Sequence, residues 1–252
     1  MRLGKYRFWL SAYGFLASGW VFADQAPVQL ILSKSLTELM TEIRYEDREP
    51  EQPAYTSRIL ILGDRMRMDY GRDDEGFILF DRPANMVWHV SPSDRRLTGI
   101  AAGEVKDVWP KQWKISQEEL PSEQGGLRQI RLNGVLCVEF KYAPLLRAEA
   151  RLIGDFRRAL AANQANAWRG TPDDLREPCS LTIDVQEAGG EYSQGLPLAI
   201  RYWDKRSRVY QGHEKRAARP ELFELPADYL RFVISGDQGN SASWQPSSSQ
   251  AR

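Results

Sequence analysis

Residues 65–70, Arg-Met-Arg-Met-Asp-Tyr, alternate polar and apolar side chains without a fault. Strict alternation marks an extended strand, because successive side chains of a strand leave on opposite faces. It puts Met66, Met68 and Tyr70 on one face and Arg65, Arg67 and Asp69 on the other. The run has neighbours of the same kind. Residues 55–62 are rich in β-formers, and Gly63-Asp64 supplies the turn that joins them to it. A polar turn at 71–76 leads to a strand at 77–81, which carries Phe80. Arg82-Pro83-Ala84-Asn85 then turns into 86–90, with Met86, Trp88 and Val90 on one face, and 91–94 turns into 96–100. Short strands in series, each ended by its own turn chemistry, specify an antiparallel meander and commit the chain to a sheet.

The rest of the chain adds to that sheet. Leu32, Leu36, Leu39, Met40 and Ile43 fall at spacings of three and four, which predicts an amphipathic helix over 28–43. The charged, Pro-bearing stretch 46–53 reads as a loop, and 101–126 is a mixed segment with Trp109, Pro110 and Trp113. Asn133-Gly134 centres a hairpin over 127–142, with Cys137 on its second strand. Leu145, Ala148, Leu152, Phe156 and Leu160 predict a long helix over 145–168, stopped by Gly170 and Pro172. A strand over 180–186, a hairpin of 196–201 with 208–211, and a docked segment at 221–229 complete the pattern. Residues 235–252, rich in Ser, Gly and Gln, have little to bury and read as a disordered tail. The expectation is one α+β domain over 24–234: a curved antiparallel sheet with an N-terminal helix and a long inserted helix.

Residues 1–23 read as an export signal. Arg2, Lys5 and Arg7 precede an apolar run, and Val21-Phe22-Ala23 offers small residues for cleavage after Ala23. No later segment is apolar enough to span a bilayer, so the expected location is the periplasm. The full chain has 34 basic and 34 acidic residues. Removing three basic residues leaves 31 against 34, a formal charge of −3. That balance argues against a nucleic-acid partner, which requires a basic footprint. In an oxidising compartment Cys137 and Cys179, the only cysteines, are expected to pair.

The units "ILGDRMRMDYG…GFILFDRPANMVWHVSPSDRRLTGI", preceded by a helix and an export signal, resemble the LolA/LolB-like periplasmic proteins, most nearly secreted chains of that fold. Residues 222–229, LFELPADY, are similar to an "LF-LP-GY" ending among them, with Asp228 where Gly is frequent. The resemblance covers about residues 30–230. It implies an incomplete β-barrel whose concave apolar face, closed by helices, holds an acyl chain, a lipid or a lipoprotein segment. The insertion at 145–168 and the two cysteines depart from that pattern.

Four chemistries are open to these residues. Met66, Met68, Tyr70, Phe80, Met86 and Trp88 are candidates to line an adaptable apolar cavity, against the plainer role of a packed core. The thioethers of Met66, Met68 and Met86 suit Cu(I), but no Met-rich run or HxxM element accompanies them, and Asp73-Asp74-Glu75 lacks the order of a calcium loop, so no metal or other cofactor is expected. His89 and His213 are the only histidines, and no GxSxG, P-loop, HExxH or GxGxxG is present; Glu118 and Glu119 are adjacent and do not converge, so no catalytic residue is expected and the chain does not read as an enzyme. Arg147, Arg151, Arg157 and Arg158, with Lys205, Arg206 and Arg208 elsewhere and Trp168 and Trp203 near them, are candidates for a surface that meets anionic headgroups or an acidic patch on a periplasmic partner protein, the latter being the alternative to the lipid-binding reading.

Overall fold

A computed structural model describes residues 38–106, 109–122, 125–235 and 242–245. The export signal, residues 28–37 of the expected N-terminal helix, and 236–241 and 246–252 of the tail lie outside the described residues. The meander forms as its turns dictate: β2 (Tyr55–Leu62), β3 (Arg65–Asp69), β4 (Phe77–Asp81), β5 (Met86–Ser91) and β6 (Arg96–Ala101) pair in sequence, all antiparallel. Around them lie β1 (Leu39–Arg48), β7 (Ile115–Ser122), β8 (Gly125–Leu132), β9 (Val135–Ala143), β10 (Leu196–Tyr202), β11 (Ser207–Ala217), β12 (Leu230–Ser235) and β13 (Ala242–Gln245). They make one 13-stranded sheet in the order β13-β12-β6-β5-β4-β3-β2-β1-β11-β10-β9-β8-β7.

Three expectations are corrected. First, the incomplete antiparallel barrel of LolA-like type gives way to an open, mixed sheet: β12 runs parallel to β6, and β7 and β13 form opposite edges. The resemblance rested on hairpins, which form in any meander and do not determine how distant strands add at the edges. Second, Leu39, Met40 and Ile43 lie on a strand, not on an N-terminal helix. Between β2 and β11, β1 is central and covered on both faces: Met40 packs with Leu60 on one side, Ile43 and Tyr45 with Ile59 on the other. A strand buried on both faces loses the alternation that would reveal it. Third, 180–186 is helical: a short helix, Pro178–Leu181, runs on as a π turn over Thr182–Gln186. Residues 242–245 of the expected disordered tail form β13.

The long helix, α1 (Arg147–Gly170), follows the sequence pattern and covers one face of the sheet. Its Leu152, Ile153 and Phe156 pack on Ile43, Ile59, Met66, Phe80 and Val87, with the Phe80 and Phe156 rings 6.0 Å apart. Close approach to the chain beyond it requires glycine: a Cβ on Gly189, at φ 77°, would meet the Gly154 carbonyl oxygen at 2.5 Å. At its other end Arg176 reaches back to the carbonyls of Trp168, Arg169 and Thr171, satisfying groups a helix C-terminus leaves open. The Cys137–Cys179 disulfide forms, tying β9 to the short helix. Among the described residues no helix is long and apolar enough to cross a membrane.

The opposite face is also covered. Leu222 and Phe223, on a 3-10 turn at Pro220–Phe223, pack on Met40, Leu60, Phe77, Leu79, Val90 and Leu97. Arg67 and Asp69, on the polar side of β3, are therefore interior. Asp69 accepts Nε and Nη2 of Arg58, both at 2.8 Å, and Nε of Arg67, also at 2.8 Å. Arg67 also donates to the Leu222 carbonyl at 3.1 Å and stacks 3.8 Å from the Phe77 ring centre.

Candidate functional site

Two hollows share Asp47, Tyr55, Met68 and Arg208 in their walls, on the α1 side of β1, β2 and β3. The larger, about 440 Å³, is bounded by Met68, Tyr70, Ile78, Phe77 and His89, with Ser57 at its wall. The smaller, about 170 Å³, runs in beside Met66, Ile153 and Phe156 to Tyr192 and Arg157. The larger volume alone lies in the range that small-molecule sites occupy.

Strand register builds the polar wall. On β1, Tyr45 stands opposite Ser57 of β2 and Tyr210 of β11, and Asp47 stands opposite Tyr55 and Arg208. Arg208 grips Asp47 with two bonds, Nε to Oδ1 at 2.6 Å and Nη2 to Oδ2 at 3.0 Å, and lies 5.2 Å from the Tyr45 ring centre. Such a fork-to-carboxylate pair keeps both charges in a partly desolvated place. Burial works against the Arg208 cation, but Tyr192 and Asp47 overcome it and hold its pKa well above the usual arginine value. Burial pushes the Tyr45 phenol well up, while burial and the bond to Glu49 raise Tyr55 to about 12. The aromatic hydroxyls are therefore neutral hydrogen-bonding groups at any physiological pH.

Arg157 closes the inner end. Its Nη2 meets Asp184 at 2.7 Å and its Nε meets Glu191 at 3.4 Å. Burial pushes the Glu191 carboxyl up, opposed by the Arg157 charge. Among the described residues the hydroxyls of Ser57, 3% exposed, and of Tyr45, fully buried, meet no hydrogen-bond partner. Buried polar atoms are ordinarily paired, so the orphan on Ser57, a residue of the cleft wall, is conspicuous.

The six apolar candidates do not converge. Met66 and Phe80 are buried under α1 as core, while Met68 is partly exposed and lines both hollows. Tyr70, 64% exposed, stands at the edge of the larger hollow with its ring 5.7 Å from that of Tyr55. Met86 and Trp88 lie on the other face of the sheet, folded over Gly99, where a Cβ would meet the Trp88 ring at 2.7 Å. The thioethers of Met66, Met68 and Met86 are thus split between faces. Among the described residues no group of three or more His, Cys, Asp or Glu is placed to hold a metal ion.

The arginine and tryptophan candidates are also dispersed. Arg147, Arg151 and Arg158 are exposed on α1, with Arg158 bonded to Asp155, but Arg157 turns inward. Trp168 packs edge-on to Trp113 beneath the Arg176 guanidinium, and Trp203 packs in a separate cluster around the disulfide. His213 is exposed and bonded to Tyr210, whereas His89 is at the cleft. Sequence reasoning missed Ser57 and Asp47, and it named Arg208 only as one cation of a surface for anionic headgroups or an acidic protein patch. Asp47 and Arg208 are separated by 161 positions, and nothing local to either signals the pairing.

The chain matches no protein-family model and no curated protein. Two structures of PNGF-II, in different crystal forms, are similar to it with TM-scores of 0.35 and 0.38 and identities of 11% and 9%. Each likeness covers 78% of this chain and 31% of PNGF-II, so the chain spans about a third of that protein. Neither is near enough to assign a fold.

Proposed function

We propose that the chain is a non-catalytic, exported binding protein that holds one amphipathic molecule, a lipid or the acyl chain of a lipid or lipoprotein, in the cleft beside α1. The observation that carries this reading is the 440 Å³ hollow, whose apolar wall of Met68, Tyr70, Phe77 and Ile78 meets a polar wall at Ser57, Asp47 and Arg208. An alkyl chain entering it gains about 0.8 kcal/mol per buried CH₂, so a short stretch suffices for useful affinity. The flexible thioether of Met68 suits chains of differing shape. The space between α1 and the sheet is filled by Phe80, Phe156 and Met66, so the occupant lies beside the helix and does not thread beneath it. An exported, oxidising location is consistent with the Cys137–Cys179 bond.

The test is titration with an environment-sensitive fluorescent amphiphile below its micelle concentration. Saturable one-to-one binding is expected, lost in Met68→Trp, which fills the cleft from a partly exposed position. Unsaturable partitioning, or equal binding by Met68→Trp, would remove the cleft as the site.

A further inference from the structure

We infer that the cleft selects an amphiphile with an uncharged, hydrogen-bonding head, a hydroxyl or a carbonyl, over a fatty-acid anion or an amine cation of the same chain length. The inference rests on the cleft reading above and goes further by naming the ligand's polar end.

Four charged side chains line the larger hollow: Asp47, Asp69, Glu75 and Arg208. Each is already engaged. Asp47 is gripped by Arg208, Asp69 by Arg58 and Arg67, and Glu75 faces Arg72 at 3.2 Å. An anionic head would enter among three carboxylates, and Arg208, the one guanidinium in the wall, already holds Asp47 with two of its N–H groups. A cationic head would meet the Arg208 guanidinium while every carboxylate already holds an arginine. Either charged head would compete with an ion pair already made in the wall, whereas a neutral polar group needs only one partner.

The neutral partner is present. Ser57 Oγ belongs to a side chain almost wholly buried at the cleft wall, and among the described residues it has no hydrogen-bond partner. A hydroxyl both donates and accepts, so it serves an alcohol, an ester or an amide alike. A carbonyl or hydroxyl held at Ser57 would relieve a buried group that folding leaves unpaired, and that relief appears as affinity.

The experiment is calorimetric titration of the full mature chain with dodecanol, dodecanoate and dodecylammonium below their micelle concentrations, repeated on Ser57→Ala and Ser57→Gly. The alcohol is expected to bind wild type roughly tenfold or more tightly than either ion. Ser57→Ala is expected to lose about that factor for the alcohol and little for the ions. Its melting temperature without ligand should be unchanged or raised, because the variant removes an unpaired buried hydroxyl. Ser57→Gly, which also removes the hydroxyl, provides the second reading should Ser57→Ala fold poorly, with the same direction of loss. Dodecanoate binding as tightly as dodecanol, or undiminished alcohol binding by both variants, would overturn the head-group inference while leaving the cleft intact. Binding of none of the three to wild type would overturn the cleft reading and this inference with it.

Discussion

Asp69→Ala is expected to unfold much of what holds the second face of the sheet. The Asp69 side chain has no exposure and accepts four bonds: two from Arg58 and one from Arg67, all at 2.8 Å, and one from the Gly71 amide at 2.9 Å. Its removal strands the Arg67 guanidinium, whose side chain is 3% exposed, with only the carbonyls of Leu222 and Asp73. Arg58 keeps Asp73. Breaking one partner out of a buried ionic group costs about 3–5 kcal/mol, because the remaining charge is uncompensated. That is a large part of the roughly 5–15 kcal/mol by which domains are stable. Urea unfolding followed by tryptophan fluorescence should show a midpoint lowered accordingly with little change in slope. Hydrogen exchange should quicken first in 219–225, the segment Arg67 pins through Leu222, and then in β3. A loss under about 1 kcal/mol, or exchange that quickens elsewhere and not in 219–225, would show that these arginines are solvated and that the face is held by Leu222 and Phe223 alone.

Other outcomes follow from the same geometry. The disulfide closes a loop of 42 positions, so reduction should destabilise the fold by about 4 kcal/mol, read as a lowered urea midpoint; both thiols should resist alkylation until reductant is added. Gly189→Ala should cost about 1–3 kcal/mol from its positive φ alone, and more from the 2.5 Å approach to the Gly154 carbonyl, whereas Gly134→Ala, with open space at its turn, should lack the clash. Burial raises the Glu191 carboxyl, so its ionisation opposes folding as pH climbs from the ordinary glutamate value through the raised one. Glu191→Gln should therefore gain on wild type in urea midpoint across that window, and a difference independent of pH would contradict the burial.

The meander was legible because its information is local. Gly63-Asp64, Arg82-Pro83-Ala84-Asn85 and 91–94 each carry their own turn chemistry, and the alternation of 65–70 needs nothing else to be read. The α1 pattern was equally plain, since one face of the helix packs on the sheet and the other is solvated. What stayed hidden depended on distant partners. Residues 180–186 are β-rich in composition, yet Leu181 and Val185 pack with Ala165 of α1 at a helical spacing of four, and tertiary packing outweighs propensity. On β7, Glu118 and Glu119 are solvent-facing, and the pattern of an edge strand with little to bury is weak. β12 joins β6 in parallel more than 130 positions away, as Arg95 and Asp228 lie 133 apart in sequence at its entrance. The site fared likewise: Met68 and Tyr70 were visible as apolar strand residues, whereas Ser57 and the Asp47–Arg208 pair become a wall only when β11 closes on β1.

The cleft's occupancy is tested most directly by native mass spectrometry of the chain isolated from the cells that make it, beside Met68→Trp prepared identically. The account predicts wild type carrying a non-covalent mass of some hundreds of daltons, released on denaturation and identified as a single uncharged amphiphile, with Met68→Trp bare. A bare wild-type mass, or the same adduct on both proteins, would contradict it.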